Sequence, residues 1–224
     1  MKRSWMIALL LCTLTAGSVW AQSYVVLPTI GIRGGADFAR YRDTGSSSGI
    51  SMKNQTNGTA ALTFEHALWH PETYWSTLSL KHDFMYIRTG GRFQMANGAI
   101  QKDKVDELRF APNLLFRWTT HAPAPFIMGG GFVGYDISSK FTTTNAPGGA
   151  NASGTLQDWN KLNYGVSGGA GFQIPTPAGA LSFDGRYNLG LANKFKSGTQ
   201  NGLKRRTSGV VVMAGLDFRL PGSR

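Results

Sequence analysis

The chain has 224 residues, of which 42% are hydrophobic and only 16% charged, with 29 glycines and a formal net charge of +11. A length of this kind suits a single β-sandwich or barrel, and the chain is read as one unit behind a leader. The composition is too polar for helical membrane spans, and no stretch after the leader approaches the roughly 20 apolar residues that such a helix needs.

Lys2 and Arg3 precede an apolar run from Trp5 to Leu14, and Val19-Trp20-Ala21 stands before Gln22. This is the pattern of a secretory signal peptide over residues 1–21, with a barrel domain over 22–224. The only cysteine, Cys12, lies inside that leader, and Leu11 before it does not suit lipidation. The mature chain is therefore expected to carry no thiol, disulfide or Cys-ligated metal, so its stability must come from backbone pairing and packing. Loss of Lys2 and Arg3 takes the charge from +11 to +9, which admits nucleic acid or anionic lipid as a partner.

Eight segments then alternate apolar and polar residues, because a strand sends successive side chains to opposite faces. In chain order they run from Thr29 to Phe38, Thr59 to Trp69, Tyr74 to Ile87, Leu108 to Trp118, Phe126 to Ile137, Leu162 to Ile174, Leu181 to Leu191 and Val210 to Leu220. The seventh is the clearest. Leu181, Phe183, Tyr187, Leu189 and Leu191 share one face, and Ser182, Asp184, Arg186 and Asn188 the other. Pro112 weakens the fourth by removing a ladder donor, and the glycines at 129–131, 165, 168, 169 and 171 suit tight curvature.

The connections fall into two alternating classes. His70 to Thr73, Thr120 to Pro125 and Pro175 to Gly179 are short; Arg40 to Thr56, Arg88 to Val105, Ser138 to Lys161 and Ala192 to Thr207 are long and polar. That asymmetry predicts an all-β fold, an eight-stranded antiparallel up-and-down transmembrane β-barrel with short periplasmic turns.

Alternation by itself does not say which face points inward. Three features favour an oily exterior. The polar face carries Arg33, Asp37, Glu65, Lys81, Asp83, Glu107, Arg109, Arg117, Asp184, Arg186, Asp217 and Arg219, a mixture of signs that suits a lumen in which each ion needs a partner. Trp69, Tyr74, Trp75, Trp118 and Phe126 cluster near the short turns and Tyr86, Tyr135, Trp159 and Tyr164 near the long loops, as interfacial girdles do. Strands of about 10 to 13 residues also match a tilted membrane strand. The alternative is a soluble secreted or periplasmic β-barrel that binds a small apolar ligand in an oily interior.

Phe126 to Tyr135, Leu162 to Phe172 and Asp184 to Leu191, above all Arg186-Tyr-Asn-Leu-Gly-Leu191 followed by Asn193, resemble the PorT-like outer-membrane β-barrel family common in the Bacteroidota. The resemblance implies an eight-stranded barrel inserted by the outer-membrane assembly machinery, and it carries over no catalytic residues. Such barrels often end on an aromatic, whereas this chain continues past Phe218 to Arg224.

No catalytic, cofactor-binding or metal-binding residues are assigned. The four histidines, His66, His70, His82 and His121, accompany no nucleophile motif, and there is no His-Glu-x-x-His, EF-hand or phosphate-binding glycine loop. His82 falls on the oily face at mid-depth, where it marks a register error, a bulge or a protein contact; His66 or His82 with a neighbouring serine would mimic an outer-membrane lipid hydrolase. The surplus cations lie in the long loops, at Arg40, Arg42, Lys53, Arg88, Arg92, Lys102, Lys104, Lys140, Lys161, Lys194, Lys196, Lys204, Arg205 and Arg206. Outer-membrane lipid and lipopolysaccharide phosphates are the expected partners there, with envelope proteins reached through the loops, no nucleic acid, and a monomeric chain. An eight-stranded lumen is one that side chains just fill, so no general porin flux is expected, and the role is structural, adhesive or accessory to envelope transport.

Overall fold

A computed structural model describes residues 28–44, 51–69, 76–95, 98–118, 123–144, 151–156, 159–176, 179–195 and 204–220. The expected leader, together with Tyr74, Trp75, His70, His121 and Lys196, lies outside them. Among the described residues there are ten strands: β1 (Thr29–Thr44), β2 (Ser51–Lys53), β3 (Gln55–Trp69), β4 (Thr77–Gln94), β5 (Ile100–Arg117), β6 (Ala124–Thr144), β7 (Ala152–Thr155), β8 (Leu162–Thr176), β9 (Gly179–Gly190) and β10 (Lys204–Arg219). Eight of them close a ring in the order β1, β3, β4, β5, β6, β8, β9, β10 and back to β1, each pair antiparallel. The two short strands, β2 and β7, add to the far ends of β4 and β6.

The orientation is settled by burial. Ile32 and Leu62 are 62% and 56% exposed, while Arg33 and Arg186 are each 2% exposed. Phe183, Tyr187, Val212 and Phe218 likewise face outward, and Asp83, Asp184 and Asp217 inward. A water-soluble barrel with an oily interior is thereby overturned, since covering apolar surface is the main gain of folding in water and here only lipid could cover it.

The long connections are shorter than expected because the strands continue through them. Arg88 to Gln94 and Ile100 to Val105 are ladder residues of β4 and β5. Their hairpin closes in one turn, with Met95 N–H donating to Ala99 O (2.9 Å) and Gly98 N–H to Met95 O (3.0 Å). Gly98 has φ 84°, a left-handed conformation that glycine adopts without steric cost. β1, β6 and β10 run on in the same way to Thr44, Thr144 and back to Lys204. A paired β-extension thus rises above the lipid-facing band, whose upper edge is marked by Tyr86, Leu108, Tyr135 and Tyr164. At the other edge stand exposed Trp69 and Trp118.

One irregularity alters the faces. Between Asp106 and Glu107 the β5–β6 register shifts, so that Glu107 opposes Asp136 and Asp106 opposes Ser138. The extra residue, Ile137, reverses the parity of β6. Below it odd residues such as Val133 and Tyr135 face outward; above it Lys140 does.

Candidate functional site

At the waist of the lumen, Arg33, Lys81 and Arg186 meet Asp83, Asp184 and Asp217. Arg186 donates to Asp83 Oδ2 (2.8 Å) and to Asp184 Oδ2 (2.9 Å). Lys81 Nζ lies between Asp83 and Asp184 at 3.6 and 3.7 Å. Arg33 pairs with Asp184 and, at 2.9 Å, with Asp217, which also accepts from Gln173 (3.0 Å) and Ser182. Each charge has an opposite neighbour, which is the condition for holding ions away from bulk water. Strands β4 and β9 stand opposite each other in the ring. The contacts from Lys81 and Asp83 to Asp184 and Arg186 therefore cross the whole diameter and obstruct the lumen.

Above this network lies an apolar layer of Ala61, Met85, Ile87, Val211 and Met213. Over it Glu107 accepts from Arg109 (2.7 Å) and Asn163 (2.8 Å), and the Arg109 guanidinium stacks on Phe132. Below the waist, Leu115, Phe126 and Met128 form a second apolar plug. Phe126, expected in the inner aromatic girdle, is 1% exposed and part of this plug. Glu65 and Arg117 pair at 2.7 Å near the inner mouth. Arg219, expected in the lumen, is exposed at the inner rim instead, because β10 ends there.

The outer mouth is capped by residues that sequence reasoning placed elsewhere. Trp159, expected in the outer girdle, and Lys194, expected on the outer rim, are both buried. Each donates to Asp136 Oδ2, at 2.6 and 2.8 Å. Trp159 forms a β-bridge with Phe195 and packs edge-on against Tyr41, which stacks on Phe93. Arg205, also expected on the rim, turns inward to chelate Asp43 at 2.9 and 2.8 Å and lies over the Phe93 and Phe195 rings. An interior rich in carboxylates draws these cations in. No periodicity marks Trp159 and Lys194, which lie outside the strands, whereas Arg205 shares the inward parity of Val211, Met213 and Asp217 in β10.

The remaining cations form a collar on the outer face of the extension: Arg40, Arg42, Lys53, Arg88, Arg92, Lys102, Lys104, Lys140, Lys161, Lys204 and Arg206. Among the described residues the one acid on that face is Asp106, and it is already engaged by Arg88 Nε and by the Tyr86 hydroxyl, each at 2.7 Å. Burial raises the Asp106 carboxyl, but these two hydrogen bonds and the charges of Arg88 and Lys140 outweigh it and leave it below its ordinary value. The surplus positive charge is thus segregated. Among the described residues the carboxylates other than Asp106 point into the barrel, and a surplus of cations rings its outside.

His82 does sit on the outer face, yet it is only 4% exposed. Its imidazole stacks on Phe110 (5.8 Å between centroids) and on His66 (5.6 Å). In register its neighbours are Phe64 and Pro112, and the Nδ1 atoms of both histidines lack a hydrogen-bond partner. No hydroxyl or carboxylate meets either Nδ1.

A closed ring of eight antiparallel strands, oily outside and ion-filled within, defines a membrane-spanning barrel of the outer-membrane type. The chain belongs to the outer membrane protein beta-barrel domain family, whose model matches residues 20–196, and it is an outer-membrane protein. No curated relative matches it in sequence. Among solved structures it is similar to the outer membrane enzyme PagL (16% identity, TM-score 0.42, 84% of this chain and 98% of that one). It is also similar to OprG from Pseudomonas aeruginosa (14%, 0.43, 88% and 97%) and to Ail of Yersinia pestis, solved with the heparin analogue sucrose octasulfate (13%, 0.39, 86% and 100%). At identities this low nothing about activity or ligand transfers from these neighbours.

Proposed function

We propose that this protein is a sealed, non-catalytic, monomeric barrel that anchors a rigid β-extension at the cell surface, with a structural, adhesive or transport-accessory role exercised through that extension. The observation that carries this reading is the ion network joining β4 to β9 across the lumen, reinforced by the cap of Trp159, Lys194 and Arg205. A channel would need a continuous aqueous path, whereas here side chains from opposite walls touch. Within the family, the stretch from Arg186 to Leu191 followed by Asn193 supports a place in the PorT-like branch.

Reconstitution in planar bilayers tests the sealed lumen: the wild-type barrel shows no sustained conductance steps, and ohmic single-channel currents of porin size would refute the proposal. Catalysis is tested separately by incubating the protein with lipopolysaccharide and analysing the acyl chains by mass spectrometry. They remain intact, and acyl loss that disappears in a His82→Ala variant would refute the non-catalytic part.

A further inference from the structure

The outward face of the β-extension places like charges directly opposite one another. Lys104 opposes Lys140, Arg92 opposes both Lys102 and Lys53, and Arg42 opposes Arg206. Directly facing like charges on a sheet are destabilising, because the two side chains leave the backbone about 5 Å apart. Asp106, the one described acid on this face, is held by Arg88 and Tyr86. Among the described residues Asp106 is thus hydrogen-bonded to Arg88 and Tyr86 and reaches Lys140 only through its field, and the clusters keep a net positive charge. Lys140 reaches this face only because the β-bulge at Ile137 reverses the parity of β6, so the pairing is created by a local distortion rather than inherited from the strand pattern.

Their height identifies what they meet. Leu108, which opposes Tyr135, is the last lipid-facing residue of β5, and the bulged Ile137, 51% exposed, is the last of β6. Lys104 lies four residues beyond Leu108 and Lys140 three beyond Ile137, and a tilted strand rising about 3.3 Å per residue lifts the pair about 8–10 Å above these last apolar residues. That is within side-chain reach of a headgroup layer, and Lys102 and Arg92 stand one step higher. From this register and height we infer that the Lys104/Lys140 and Arg92/Lys102/Lys53 clusters bind the phosphate groups of the lipopolysaccharide in the surrounding outer leaflet. This deepens the proposed function by naming the ligand of the extension, and it does not depend on whether the lumen is sealed.

The test uses the full mature barrel folded in phosphatidylcholine vesicles doped either with bis-phosphorylated lipid A or with the same lipid stripped of phosphate, binding being read by fluorescence transfer from labelled lipid. Wild type enriches the phosphorylated lipid and not the stripped one. Lys104→Gln with Lys140→Gln weakens that enrichment about 30-fold, whereas Arg219→Gln at the inner rim leaves it unchanged. Equal enrichment of the two lipids, or an unchanged double variant, overturns the inference. Inorganic phosphate or a soluble sulfated polysaccharide that competes at micromolar concentration would assign the cations to a soluble anion and overturn the lipid assignment. Thermal unfolding supplies a second readout. Without anionic lipid the double variant melts at or above the wild-type temperature, and with it only wild type gains stability; a variant destabilised without lipid would show that the pairs do not repel, and the inference fails. Conductance measured in the same vesicles reports on the lumen alone, so failure of one reading is distinguishable from failure of the other.

Discussion

Replacing Arg186 with alanine tests the waist network most directly. The guanidinium donates to Asp83 at 2.8 Å and to Asp184 at 2.9 Å, and its side chain is 2% exposed. Without it, Asp83 keeps only Lys81 at 3.6 Å and a long hydrogen bond from Asn113 at 3.4 Å, and Asp184 shares Lys81 and Arg33 with its neighbours. Two buried carboxylates are then under-compensated, a change that costs about 3–5 kcal/mol when one partner of a buried pair is removed. With a urea dependence of about 2.5 kcal/mol/M, typical of a chain this long, the unfolding midpoint in lipid vesicles falls by about 1–2 M. Tryptophan fluorescence and gel mobility of the folded form report the transition. Arg117→Ala, which breaks a pair with Glu65 nearer the inner mouth, costs less than Arg186→Ala because these side chains, 13% and 10% exposed, keep partial access to water. Arg186→Met combined with Asp83→Asn recovers part of the Arg186→Ala loss by removing an unpaired charge together with its partner. If Arg186→Ala folds with an unchanged midpoint, the waist charges are solvated independently and the argument for a closed lumen fails with it.

The remaining predictions concern other layers. Ile87→Ala leaves a cavity in the apolar layer formed with Ala61, Met85, Val211 and Met213 and lowers stability by about 2–4 kcal/mol, measured by the same urea transition. Phe183→Arg puts a guanidinium on the lipid face, where Phe183 now stacks on Phe172 at 5.0 Å; folding into vesicles is disfavoured by about 2–4 kcal/mol, while folding in a short-chain detergent is less affected. At Asp103, above the lipid band, burial raises the carboxyl, an effect that the Gln101 hydrogen bond and Arg205 offset only in part. A folded-state value above the unfolded one means that the native chain holds this proton more tightly, so its contribution is most favourable at low pH and declines as pH rises from 3.8 through the raised value. Asp103→Asn removes that decline, and pH-dependent melting curves that match wild type would contradict it.

Much of the ladder was legible in the chain. Alternation located all eight ring strands, since residues such as Phe183, Tyr187 and Leu189 must share one face whatever the sheet does next. The mixture of Arg33, Lys81, Asp83, Asp184, Arg186 and Asp217 on the opposite face announced an ionic interior, because ions of both signs at strand period are stable when they can neutralise one another. The collar cations were visible too, but as loop residues, because Gly, Ser, Thr and Lys signal turns as readily as exposed strand.

The sequence by itself thus determined the pattern of faces and the sign of the surplus charge. Only the tertiary structure decided which strands stand opposite each other, so that Arg186 of β9 reaches Asp83 of β4, and which long side chains fold back over the mouth, as Trp159, Lys194 and Arg205 do. It also decided that one bulged residue turns Lys140 toward Lys104. Periodicity is a local property of each strand, whereas closure of the ring and the register between strands depend on hydrogen bonds between residues far apart in the chain, and a slip of one residue exchanges inside for outside.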